Sequence, residues 1–287
     1  MIAWTPEAPC RPDTCLTPRG PTVAPPLRAL RLVAFSLVVL AGAVLALPAR
    51  LLGTAERARL ASGWSRVALW TLGVRIAARA GFAFLAGSAA GLRALPVSGV
   101  APLIVSNHVS WLDPLVMMAV APCRVLAGRE VRDRPLVGEL AVGAGALLVD
   151  GRGPSTLPEA VAGVARALEE GDPVAAFPEG ARWCGREMGV FRRAVFQAAL
   201  DAGAPVRPVA MRYLGPGGVP AAEAAHVGDD PLGASVLRVA GLRGLTVEVT
   251  LLPPVQARDR RALAWAAESS VASVVIAPAA HGARVAA

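Results

Sequence analysis

Aromatic residues make up only 5% of the sequence, and lysine is missing: all 29 basic residues are arginine. So few rings provide no platform on which single-stranded bases could stack, and no arginine-rich helix stands out, so the net charge of +8 does not point to nucleic acid. An anionic membrane surface or a phosphorylated substrate suits that charge better. The lack of lysine, beside abundant Ala, Gly and Pro, reads as compositional bias and lowers the weight of any single arginine. Cysteine is scarce as well. Cys10, Cys15, Cys123 and Cys184 have no metal-ligand spacing and no neighbouring histidine, so they read as reduced thiols in a cytosol-facing protein, the first two in an unstructured tail. No Gly-x-Ser-x-Gly elbow marks a serine hydrolase, and no metal or dinucleotide motif implies a cofactor.

Apolar residues are plentiful, at 54% of 287, enough for one large domain with its own core. Residues 1–28, rich in proline, read as a disordered or extended lead-in. Residues 29–80 read as a membrane-associated helical segment. Within it, Leu32 to Leu47 has sixteen residues without a charge, a helix of about 24 Å against a hydrocarbon core of roughly 30 Å. Arginines flank it on both sides, which suits an element dipping into one leaflet. Ala58 to Ala80 reads as a basic amphipathic helix with Trp64 and Trp70 at headgroup level or, equally simply, as a helix packed on the domain. Residues 81–276 read as the main domain and 277–287 as a frayed tail.

Inside that domain the pattern is βαβ. Apolar runs at Pro102 to Val105, Val125 to Ala127, Ala146 to Val149, Val174 to Phe177 and Val206 to Met211 read as strands. Helices are expected over Pro135 to Val142, from a Thr156/Glu159 capping box to near Gly171, over Phe191 to Ala202, and over Arg258 to Ile276. Thr246 to Leu251 alternates like a half-exposed, edge-type strand. His226 and His281 read as solvated or structural, and Gly73 to Leu95 stays unassigned.

Two strand ends carry the chemistry. After the first strand, Asn107-His108-Val109-Ser110-Trp111-Leu112-Asp113 places a histidine five residues before a carboxylate. An imidazole takes up a proton near neutral pH, and a carboxylate on its second nitrogen fixes the tautomer and stabilises the imidazolium. Ser110 is a weak nucleophile candidate, so a base of this kind suits a substrate that brings its own hydroxyl. The same residues also suit a plain corner, with Asp113 capping a helix that opens at Pro114 and His108 bonding the turn. The second loop, Phe177-Pro178-Glu179-Gly180-Ala181-Arg182, sets a carboxylate and a guanidinium at another strand's carboxyl end, where open α/β sheets bind ligands.

Together, the His-x4-Asp and Phe-Pro-Glu-Gly-Ala-Arg motifs resemble those of the glycerophospholipid acyltransferases, typified by the 1-acyl-sn-glycerol-3-phosphate acyltransferases. Arg129 with Pro135 and Gly138, the run Gly145 to Asp150, and Val206 to Ala210 extend the resemblance over about residues 65–255. It implies an α/β fold, a sheet with flanking helices preceded by the membrane-associated segment. It also implies transfer of an acyl group from acyl-CoA or acyl-carrier protein to the free hydroxyl of a lysophospholipid, lysophosphatidate before others, at the cytoplasmic face of a membrane. No cofactor is expected, since a thioester is already activated. His108 is the expected base and Asp113 its partner. Arg182 is expected to hold phosphate through its guanidinium fork. The resemblance gives Glu179, Gly180 and Arg129 acceptor-binding roles. Two departures matter: Ala181 stands where the family has Thr, and Gly151 replaces an arginine, leaving Arg152 to reach the headgroup. Another lysolipid acceptor, such as a lyso-aminolipid or lysophosphatidylglycerol, and a non-catalytic lipid-binding protein are the other readings.

Overall fold

The computed structural model describes residues 8–16, 20–81, 100–150 and 155–276. Arg152 and His281 lie outside them. Seven strands form one sheet: β1 (Arg75–Ala80), β2 (Leu103–Ser106), β3 (Arg124–Gly128), β4 (Leu147–Val149), β5 (Val174–Ala176), β6 (Val206–Leu214) and β7 (Thr246–Leu251). Their spatial order is β1-β7-β6-β2-β5-β3-β4, and every neighbouring pair is parallel except β6 with β7. The α/β class expected from the apolar runs is the one observed.

The central strands are buried on both faces, as continuous apolar runs in parallel sheets require. Alternation then sorts their side chains. Leu103 and Val105 face a core shared with α6 (Leu157–Glu169), α7 (Ala194–Asp201) and α9 (Arg260–Val275), while Ile104 faces the core under α3 (Thr54–Thr71), α4 (Asp113–Val120) and α8 (Leu232–Gly241). α9 starts on a side-chain cap, with Asp259 accepting from the amides of Arg261 and Ala262. α6 starts where the Thr156/Glu159 spacing predicts, yet without the capping box: Thr156 Oγ1 donates instead to the Asp150 carbonyl at 2.6 Å.

Several expectations need correction. The basic helix predicted over residues 58–80 ends at Thr71, and Arg75–Ala80 is a strand paired in parallel with β7. The sheet therefore begins before residue 81, inside the segment read as purely helical. β7 is accordingly an interior strand between β1 and β6; its half-exposed alternation reflects one incompletely covered face. The lead-in is structured where it is described. α1 (Pro12–Cys15) is a single turn, Thr22 bridges to Leu242, and Cys10, Cys15 and Leu16 are buried. Of the two readings of His226, solvated or structural, the structure shows the structural one: the residue is buried.

α2 (Pro25–Ala49) is longer than its uncharged stretch suggests. Pro25 and Pro26 lie in its first turn, where missing amides cost nothing, and its 25 residues extend about 37 Å. Among the described residues it is the one helix long and apolar enough to cross a membrane. One face is closed onto α5 (Val137–Gly143) through small residues, with Gly42, Ala46 and Ala49 buried. Its outer face is bare: Leu30, Leu37 and Val44 are each more than 60% exposed. A Cβ on Gly143 would lie 2.4 Å from Ala46 Cβ and 2.8 Å from its Cα, so α2 and α5 meet only because Gly143 has no side chain. Gly143→Val is expected to cost about 1–3 kcal/mol of overpacking and lower the unfolding midpoint of detergent-purified protein by several degrees; an unchanged midpoint would show that this contact does not hold α2 in place.

Candidate active site

β2 and β5 are parallel neighbours, with Leu103 opposite Val174 and Val105 opposite Ala176, so the loops after them emerge side by side at the same edge of the sheet. Asn107 extends the β2–β6 ladder with its own amide, donating to the Met211 carbonyl at 3.0 Å and accepting from the Met211 amide at 2.8 Å. That fixes the chain entering the His108 corner. Cross-links complete it: Trp183 N donates to the His108 carbonyl at 2.8 Å, and His226 N to the Val109 carbonyl at 3.0 Å.

The two readings of Asp113 are decided by its partners. Asp113 is the first residue of α4, but its carboxylate turns back and is fully buried. Oδ2 accepts from the amides of Val109 (2.6 Å) and Ser110 (2.8 Å) and lies 2.7 Å from His108 Nδ1; Oδ1 accepts from the Tyr213 hydroxyl. Backbone amides can only donate, so this oxygen is an acceptor site and Nδ1 carries its proton. Nε2 is then left with a free lone pair. The ring of His108 is stacked on Phe177, centroids 4.4 Å apart and 20° from parallel, which fixes its direction. Ser110 Oγ, buried, donates to the Ala224 carbonyl at 2.7 Å, so it does not serve as a nucleophile.

The second motif sits behind and beside the first. Glu179 is buried, its Oε2 accepting from the His108 amide at 2.6 Å and its Oε1 from the Gly189 amide at 2.8 Å. Its carboxyl holds the histidine's backbone rather than facing open space. Burial raises its pKa to about 8, against the pull of those two amides. Gly180 has φ of +70°, the left-handed turn that a side chain would strain, and its amide returns to the Phe177 carbonyl at 3.1 Å. This turn precedes Arg182, whose side chain reaches the loop that carries His226. Arg182 Nε donates to the His226 carbonyl at 2.7 Å, and His226 is itself set by Asp230, which also accepts from Arg238.

A cavity of about 1430 Å³ opens in front of His108. Phe177, Gly180 and Arg182 line it together with Arg134, a residue that the motifs do not include. Burial, then the like charge of Arg134, holds Arg182 below the usual guanidinium range, so two cations face the same space. Much of the rest of the wall is apolar, with Phe35, Trp64, Leu115, Met118 and Leu140 of α2, α3, α4 and α5. Arg129, expected as an acceptor contact, is exposed in the 3₁₀ turn after β3 and is not part of that wall.

Residues 91–212, which contain both loops, match a family model described as Acyltransferase. The chain is 32% identical over 176 residues to the 1-acyl-sn-glycerol-3-phosphate acyltransferase of Neisseria gonorrhoeae, covering 60% of this chain and 69% of that protein. It is 40% identical over 183 residues to the lyso-ornithine lipid O-acyltransferase of Pseudomonas aeruginosa, covering 61% and 69%. The chain belongs to the acyltransferase family. This acyltransferase also matches the fold of the 1-acyl-sn-glycerophosphate acyltransferase PlsC from Thermotoga maritima, with a TM-score of 0.61 and 18% identity over 87% of this chain and 93% of that one.

Besides Arg134, the motifs omit Tyr213, the only tyrosine in the chain, which lies 100 residues from its partner Asp113. Its rarity could have flagged it, but no local pattern names its partner. Tyr213→Phe leaves Asp113 short of one donor, and a loss of about 1.5–3 kcal/mol in unfolding free energy together with slower turnover is expected; wild-type values for both would show the hydroxyl to be dispensable. Glu179 gives a pH dependence. The unfolded chain releases this proton near the ordinary 4.5 and the folded protein near 8, so its contribution to stability is complete below about 4.5 and is lost as pH rises through about 8. Thermal unfolding of Glu179→Gln is expected to show a flatter pH dependence across that window than wild type, and identical profiles would refute the assignment.

Proposed function

We propose that this acyltransferase transfers an acyl group from acyl-CoA or acyl-carrier protein to the free hydroxyl of a lysophospholipid, with lysophosphatidate as acceptor and phosphatidate as product. The observation that carries this reading is that His108, its Nδ1 held by Asp113, lines one largely apolar cavity together with two guanidiniums, Arg182 and Arg134. In this reaction Nε2 takes the proton of the acceptor hydroxyl as its oxygen bonds the thioester carbonyl carbon. The carbon–sulfur bond then breaks, and the imidazolium returns the proton to the leaving thiolate. Asp113 keeps its hold on Nδ1 and steadies the imidazolium. The guanidiniums pair with the acceptor's phosphate, which relieves their mutual repulsion, and the apolar wall suits an acyl chain. The bare face of α2 and the basic surface around it suit the cytoplasmic face of an anionic membrane.

A second reading has its own support. The Pseudomonas lyso-ornithine lipid enzyme is 40% identical, and that of Rhodobacter capsulatus aligns over 89% of this chain at 29% identity. That acceptor keeps the same base and replaces the phosphate by an amino-acid headgroup.

Membranes containing the protein, given labelled acyl thioester and a panel of lysolipids, decide between the two. Strongest transfer to lysophosphatidate is expected, and His108→Ala is expected to slow it at least ~10²-fold with membrane association intact. Transfer only to lyso-ornithine lipid would move the acceptor, and equal rates for wild type and His108→Ala would remove the base. Arg182→Ala is expected to raise KM for lysophosphatidate more than for the thioester; equal shifts would contradict a phosphate-holding role.

A further inference from the structure

The structure places three of the chain's four cysteines, two from the N-terminal lead-in and one from the middle of the domain, in one buried cluster. Cys10 and Cys15 flank the single turn of α1, which folds back through Cys15 N to the Arg11 carbonyl at 2.9 Å; Cys184 lies 174 residues on from Cys10, just beyond Arg182. Their sulfurs all lie within 4.8 Å of one another. We propose that Cys10, Cys15 and Cys184 bind one thiophilic cation, Zn²⁺, with a water molecule completing the tetrahedron, and that this centre ties the N-terminal segment to the loop carrying Arg182.

Three observations carry the proposal. The first is distance: Zn–S bonds of about 2.3 Å in a tetrahedron put sulfurs roughly 3.8 Å apart, so the cluster closes onto a cation with shifts of about 1 Å or less. The second is the hydrogen bonding already in place. Cys184 N donates to Cys10 Sγ at 3.4 Å, and Thr14 Oγ1 lies 3.7 Å from Cys15 Sγ. The hydroxyl donates to the Arg11 carbonyl at 3.3 Å; once Cys15 is a thiolate it is the sole donor of the pair and can turn to the sulfur, and donors of this kind steady metal-bound sulfur. The third is number. All four cysteines are free thiols, and a disulfide within the cluster would strand its third member, whereas a cation engages all three. Cys123, buried at the start of β3, lies outside the cluster and serves as the internal control.

The test uses the full-length protein in detergent, stripped by a chelator under reducing conditions and then loaded with Zn²⁺ or Co²⁺ alone. One equivalent is expected to survive desalting, with a thiolate-to-cobalt charge-transfer band for Co²⁺ and about three sulfur ligands by X-ray absorption at the zinc edge. Cys123→Ser is expected to keep these signals, and the triple variant Cys10→Ser, Cys15→Ser, Cys184→Ser to lose them. The sulfur count is read on wild type and so does not depend on the variant folding. No retained metal, fewer than three sulfur ligands, undiminished binding by the triple variant, or a disulfide among the three in protein isolated without reductant would each overturn the proposal.

Discussion

The site depends on one buried carboxylate. Asp113 is fully removed from solvent, and an isolated ion there would cost several kcal/mol. It is tolerated because two backbone amides, a phenol and an imidazole converge on it. Each donor comes from a different constraint: the amides from the tight corner after β2, the phenol from β6, the imidazole from a ring pinned on Phe177. The same convergence that makes the charge affordable decides the histidine's tautomer. Protein folding and proton chemistry are thus joined at a single group, and Glu179 reinforces the arrangement by holding the backbone of His108 from the other side.

The sheet sets where this happens, and the N-terminal helices set what lies in front of it. Parallel pairing of β2 with β5 brings a histidine and a guanidinium to one edge. α2 and α3, anchored through contacts between small residues and through Trp64 Nε1 donating to the Val38 carbonyl at 3.0 Å, supply much of the apolar wall beyond. The segment that leaves its outer surface bare to its surroundings therefore also shapes the inner cavity. A lipid-modifying enzyme benefits from such an element, because the same helix meets an apolar exterior and lines the cavity that His108 also lines.

Much of this was legible in the sequence. The β2, β3, β4 and β5 strands lie within about one residue of their apolar runs and β6 runs three residues further, because strands buried on both faces leave an uninterrupted signal. His108 and Asp113 were legible because they are close in sequence and share one corner. What was hidden is long-range. Nothing near Arg75–Ala80 says strand until β7, far downstream, pairs with it, since Arg75 and Arg79, four residues apart, fit one face of a basic helix equally well. Tyr213, Arg134 and the meeting of Cys10 and Cys15 with Cys184 are also products of tertiary folding, and the proline-rich character of residues 1–28 concealed that part of them packs against the domain. Arg129 shows the converse, for a motif position can be matched in sequence and still lie off the cavity wall.

The most direct test of the central claim, that His108 and Asp113 work as one unit, is a double-mutant comparison of turnover in wild type, His108→Ala, Asp113→Asn and the doubly substituted protein. If the carboxylate acts only through the imidazole, Asp113→Asn slows the wild type severely and leaves the His108→Ala protein no slower than before. The same fold-loss from Asp113→Asn in both backgrounds would contradict the account, showing that the carboxylate works independently of the histidine it holds.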